Sequence, residues 1–419
     1  MKATLCIVLA MLAMALNASA QALTDQIIDP RVHSLKVAPA GNPYTPAIIS
    51  LGGDEVINVN FDLLDYDVHY LRYSVTHCDA LWRPSQLVES EYVSGFNQAD
   101  ITDYAQCNNT FVHYWNYNLQ VPNQDMQLLK SGNYVLRVYE QDDPDRVLFT
   151  ARFAVSEGTV SVVPSVTSRT DGDYNDRHQQ VSFELNYKNG TIRDPYNELT
   201  CVVTQNGRTD NAAVVTKPLM VGSDRLTFEH NRDLIFAAGN EYRRFETVNV
   251  HTPNMGVAAI EYFDPLYQAT LLTDEPRAES SYLYDQTQMG RFTVRNAESD
   301  YSSTEADYIM THFTLNTGGP LQGGHLLVQG EMTKGEPESF ALMDYDASSG
   351  CYRAHMLLKQ GAYNYQYLWV PDGTTVGQAG KIEGDMYQTI NEYVIRVYDR
   401  PMGSRYDRLV GFAVVRSGI

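Results

Sequence analysis

Asn133-Tyr134-Val135-Leu136-Arg137-Val138-Tyr139-Glu140 returns near the end of the chain as Glu392-Tyr393-Val394-Ile395-Arg396-Val397-Tyr398-Asp399. Both copies alternate, with Tyr, Leu or Ile, and Val on one face and Arg on the other. That is the period of a strand with one side in a core and one in water. A turn rich in Asp, Arg and Pro follows each copy, then a second strand, at 147–155 and at 409–415. Each pair reads as the closing hairpin of a separate β-sandwich, because consecutive hairpin strands complete such folds. The repetition points to modular construction.

Outward from the repeat, strand and turn continue almost everywhere. Short alternating runs such as Glu55-Val56-Ile57-Asn58-Val59-Asn60-Phe61 and Val181-Ser182-Phe183-Glu184-Leu185-Asn186-Tyr187 are separated by Gly, Pro, Asn and Asp. Helical periodicity is missing outside the first twenty residues, apart from a weak candidate at 126–130. The fold class is all-β, as tandem immunoglobulin-like or early-set β-sandwich domains. The expected division is a signal peptide at 1–20, an N-terminal sandwich at 21–157, a middle sandwich at 158–275 and a C-terminal early-set sandwich at 276–419. The last unit begins with a tyrosine-rich lead-in, and Asp274-Glu275-Pro276-Arg277 before it reads as a hinge or exposed connection.

Residues 1–20 predict export. Met1-Lys2 is a short basic start, 5–16 is an apolar run too short to span a bilayer, and Ala18-Ser19-Ala20 matches a small-residue cleavage site. No later segment is long and apolar enough for a membrane helix, so direct membrane insertion is not expected. The chain has 31 basic and 51 acidic residues, a formal net charge of -20. So acidic a chain repels nucleic acid and anionic membrane surfaces.

Beyond the leader the cysteines are Cys78, Cys107, Cys201 and Cys351, too few and too widely spaced for a disulfide framework or a structural zinc site. Sequence leaves open whether Cys78 and Cys107 bridge. Ten histidines are scattered without an HExxH pair, and the Gly-x-Ser-x-Gly elbow, P-loop and Rossmann glycine signatures are absent. No catalytic, cofactor-binding or metal residue is assigned. Acidic clusters at 62–67, 142–145 and 171–176 contain hard oxygen ligands, and Asp171, Asp173 and Asp176 come nearest to a calcium set. The competing reading is turn chemistry, because Asp and Asn side chains cap local backbone groups.

Two stretches complete the picture. Thr76-His77-Cys78-Asp79-Ala80-Leu81-Trp82-Arg83-Pro84-Ser85 ends a strand in what reads as a rigid corner, with Trp82 expected as a core anchor. Near the C-terminus, Gly361-Ala362-Tyr363-Asn364-Tyr365-Gln366-Tyr367 follows a turn flanked by Tyr345 and Tyr352. This order is similar to early-set immunoglobulin-like domains of the glycogen-binding type, although 331–334 lacks the tryptophan that such modules use for sugar.

Taken with Glu91-Tyr92-Val93-Ser94-Gly95-Phe96-Asn97, Ser131-Gly132-Asn133-Tyr134, Gln205-Asn206-Gly207-Arg208, Gly239-Asn240-Glu241-Tyr242-Arg243 and Tyr406-Asp407-Arg408-Leu409-Val410-Gly411, the chain resembles the type IX secretion system plug protein family. That resemblance implies a non-enzymatic periplasmic protein. Its implied partner is a large outer-membrane β-barrel translocon, whose pore it closes from the periplasmic side, with no cofactor and no small-molecule substrate. The competing reading is a cell-envelope carbohydrate-binding protein or glycoside hydrolase, with Trp115 and Trp369 as the sugar-stacking candidates.

Overall fold

The two copies of the repeat form the hairpins their alternation predicts. In the computed structural model, which describes residues 21–188 and 192–418, strand Gly132–Glu140 pairs antiparallel with Val147–Ser156. Strand Glu392–Asp399 pairs in the same way with Arg408–Arg416. The likeness extends to an irregularity. Each ladder slips register at the equivalent step, between Val138 and Tyr139 in one and between Val397 and Tyr398 in the other. The expected leader at 1–20 lies outside the described residues.

Strands take up 47% of the described residues and helix 5%, so the architecture is all-β. In the first sandwich, one sheet runs through Gln26–Ile27, Val147–Ser156, Gly132–Glu140, Leu71–Cys78 and Ala99–Asp100. The facing sheet holds Val32–Pro39, Ile57–Leu63, Trp115–Val121 and Asp103–Gln106. Alternate residues of both sheets meet between them, and Phe61, Tyr73, Tyr117, Tyr134 and Phe149 are wholly buried there. Removing side chains of this size from water contributes roughly 1.5–3 kcal/mol each. The 126–130 segment expected as a weak helix is the short strand Met126–Leu128, paired with Val93–Gly95. Gly95 makes that pairing possible. Its φ is +97°, and a Cβ there would stand 2.1 Å from the Asp125 carbonyl oxygen.

The second hairpin redraws the expected boundaries. Strand Glu392–Asp399 pairs with Leu199–Gln205, so the chain's last strands close the sandwich begun at Val160–Thr167. Tyr393, Ile395 and Val397 share a core with Leu185, Cys201, Val203 and Leu226. The third sandwich is therefore an insertion into the second. It opens at Arg243–Glu246, which pairs with Gly361–Pro371, well before the boundary expected at 275/276. Phe245, Phe313, Tyr363, Tyr365 and Tyr367 fill its core. Sequence alternation marks hairpins, but the strand that each hairpin joins can lie anywhere along the chain.

The expected hinge at 274–277 is an anchor. The Asp274 carboxylate accepts hydrogen bonds from the Tyr365 and Tyr367 hydroxyls (2.6 and 2.7 Å) and from Arg243 (2.6 Å). Arg277 in turn donates to the buried Glu383. Exposed-turn residue types have here been drawn into a buried polar network.

Side chains also stitch the sandwiches to one another. A small apolar cluster joins Ile48, Ala80 and Ala154 of the first to Val202, Val394, Tyr398 and Leu409 of the second. Within this contact the Tyr398 hydroxyl donates to Asn133 Oδ1 (2.6 Å), so the two copies of the repeat touch. Between the first and third sandwiches, Lys359 and the Tyr308 hydroxyl both donate to Asp62 Oδ2, each at 2.6 Å. Burial pulls the Lys359 ammonium below its usual range despite that carboxylate. The Tyr114 ring, 4.1 Å from Nζ, covers the pair.

Candidate functional site at the junction of the three sandwiches

The corner at 76–85 is built around one carboxylate. Asp79 Oδ1 accepts the backbone N–H groups of Leu81 and Arg83 (both 2.9 Å), and Oδ2 takes Arg83 Nε at 2.8 Å. An aspartate that folds the following backbone about itself makes a tight local turn. The turn holds Trp82 at φ +67°. Trp82 is thereby a partly exposed residue and not the expected core anchor. The Arg152 guanidinium lies over its ring, 4.6 Å from the centroid.

Trp82 and Arg152 form one wall of a cleft of ≈ 690 Å³ where all three sandwiches meet. The second sandwich supplies the outward residues of its closing sheet, with Val202 and Thr204 on one strand and Val394 and Arg396 on the next. Asn206, Gly207 and Arg208 of the turn beyond also face it. The third sandwich contributes 289–291 and 329–331 with 333–335.

In a chain of net charge -20 this lining is unusual, because five cations meet four carboxylates there. Each carboxylate has a cation of its own. Asp210 pairs with Arg208 (2.6 Å), Glu392 with Arg291, Asp25 with Lys334 (3.4 Å) and Glu331 with Lys36 (3.3 Å). Burial works to raise the Asp210 carboxyl, yet the Arg208 bonds outweigh it and hold the group below the usual carboxylate range.

Arg152 and Arg396 remain outside these pairs. Arg152 Nε donates to the Leu23 carbonyl (2.8 Å), and burial depresses its guanidinium from the ordinary value. Arg396 Nε and Thr204 Oγ1 are both buried without a hydrogen-bond partner among the described residues. The cleft thus offers, beside an apolar wall, two guanidiniums without a salt-bridge partner among the described residues, an arrangement suited to binding carboxylates.

Other residues singled out in sequence are accounted for elsewhere. Cys78, Cys107, Cys201 and Cys351 are free thiols, so Cys78 and Cys107 do not bridge. Asp171 binds Gln180 and His230, and Asp173 binds Thr170 and His178, while the Asp176 carbonyl accepts the Tyr387 N–H. Among the described residues no group of three or more His, Cys, Asp or Glu side chains is placed to hold a metal ion. Trp369 is 3% exposed with Lys381 against its ring, and Tyr363, Tyr365 and Tyr367 are core, so this run offers no open stacking platform. No helix of the described residues is long and apolar enough to cross a membrane.

Arg396 was visible in sequence as the arginine on the outer side of the second repeat, but its exposure to a cleft was not. Arg152 carried no signal.

The first sandwich, residues 32–157, matches the model of the first domain of type 9 secretion system plug proteins. A crystal structure of a hypothetical protein from Parabacteroides merdae is 43% identical, with a TM-score of 0.93, over 95% of this chain and 100% of that one. A biofilm-associated protein BSP domain, aligned over 95% of this chain and 61% of its own at 6% identity and a TM-score of 0.18, carries no argument. No curated protein matches the chain. The first sandwich, with the corner and hairpin that define it, is the part the family model matches, and the chain belongs to the type 9 secretion system plug protein family.

Proposed function

We propose that this chain is a non-enzymatic periplasmic plug. It binds the large outer-membrane β-barrel translocon of the type 9 secretion system and closes the pore from the periplasmic side until cargo is exported. The observation that carries this reading is the match of 32–157 to the plug first-domain model. The physical form suits it. An obstruction must hold its shape, and three sandwiches pinned to one another by the buried Asp62–Lys359 pair and the Asn133–Tyr398 bond resist flexing. Release on export requires reversible binding, which favours an interface of modest area with a polar rim.

The test is purification of the tagged chain, at its native level, from detergent-solubilised envelopes, followed by imaging of the recovered complex. A giant barrel with this chain across its periplasmic mouth is expected. Deleting the gene should admit large antibiotics that intact cells exclude. Recovery of the chain without a barrel, together with an unchanged permeability barrier, overturns the reading.

A further inference from the structure

We propose that the cleft between the three sandwiches binds an extended acidic peptide segment, with its carboxylates on Arg152 and Arg396. This goes beyond the plug reading, since filling a pore requires no ligand cleft, and it is tested on the isolated chain.

Charge is the first ground. All four carboxylates lining the cleft pair with other cations, and although Asp25 partly offsets the Arg152 charge, neither Arg152 nor Arg396 has a salt-bridge partner among the described residues. The Arg152 guanidinium is partly desolvated and opposed by the Arg396 charge, which is unfavourable until an anion arrives. The planar fork of arginine selects carboxylate oxygens in pairs.

Shape is the second ground. At ≈ 690 Å³ the cleft exceeds what an inorganic anion fills, and lies within the roughly 300–1,000 Å³ range of ligand sites. Val202, Val214, Val394 and Ala154 give it an apolar wall beside the arginines. An alternating acidic and aliphatic strand matches that mixture.

An unpaired polar group is the third ground. Thr204 Oγ1, buried and without a partner among the described residues, adds one more polar group on the cleft wall.

The experiment is calorimetric titration of the purified chain with the blocked peptide acetyl-Val-Glu-Val-Glu-amide, and with the same peptide carrying Gln for Glu. The acidic peptide should bind at least about tenfold more tightly than its neutral counterpart, the worth of one charge-assisted hydrogen bond. Arg396→Gln and Arg152→Gln should each abolish that preference. Arg225→Gln, on the exposed face of the second sandwich and paired with Glu184, should leave it intact. Because the two cleft arginines belong to different sandwiches, R152Q tests the site even where R396Q does not fold, as judged by its thermal melt. Equal binding of both peptides, or retained preference in a folded R152Q chain, overturns the proposal. So does sodium sulfate binding as tightly as the acidic peptide.

Discussion

Lys359 Nζ and Asp62 Oδ2 stand 2.6 Å apart with side chains 1% and 0% exposed, although 297 positions separate them in sequence. The pair joins the first sandwich to the third. Two desolvated charges give little net stability by pairing, but removing one leaves the other buried and alone. Asp62 also accepts Asn116 Nδ2 (2.7 Å) and the Tyr308 hydroxyl, so its carboxylate is fully committed to this interface.

Lys359→Met should therefore lower unfolding free energy by roughly 3–5 kcal/mol, read from urea midpoints. Asp62→Asn added to it should recover part of the loss, because the orphaned charge goes with it. A Lys359→Met chain as stable as the parent would show that the pair is not desolvated.

Stability should fall as pH rises from about 4.5 to about 7 through one identifiable group. Burial pushes the Glu336 carboxyl up to about 7 from its ordinary value of 4.5. Across that window the folded chain keeps a proton that the unfolded chain releases, so rising pH favours unfolding. Glu336→Gln should flatten this part of the melting-temperature profile. His33 lines the same small pocket and is depressed by burial, so it acts in the opposite sense, losing stability as pH falls below 6.5. An unchanged slope in the Gln variant would show that Glu336 titrates normally.

Alkylation should separate the cysteines. Burial pushes the Cys78 thiol up to about 12, leaving almost no thiolate at pH 8. Cys107 is only partly buried. Brief iodoacetamide treatment of the native chain should label Cys107 and spare Cys78 and Cys201, with all four labelled after unfolding without reductant. A Cys78–Cys107 disulfide peptide in non-reducing digests would contradict the free thiols.

Legibility followed locality. The hairpins of the repeat were readable because Tyr134, Leu136 and Val138 alternate over a few residues, and so were Tyr393, Ile395 and Val397. The same rule misjudged the opposite faces. Val135 and Val394 are buried too, and Val394 is covered by the first sandwich on the side that alternation assigns to water. Trp82 went astray for a related reason. Its apolar ring suggested core, while the turn around Asp79 set it at a cleft wall made partly by strands some three hundred residues away.

By itself the sequence determined the all-β class, the two hairpins with their strand period, the acidic balance and the family likeness. Each of these depends on residue type or on neighbours within about ten positions, where side-chain period and turn chemistry act directly. Tertiary structure alone decided that the last hairpin closes the middle sandwich and that Asp62 meets Lys359. It also decided that Arg152 and Arg396 share a cleft. Those outcomes depend on which surfaces desolvate together after the chain has doubled back on itself, and the spacing of residues along the chain carries no record of that choice.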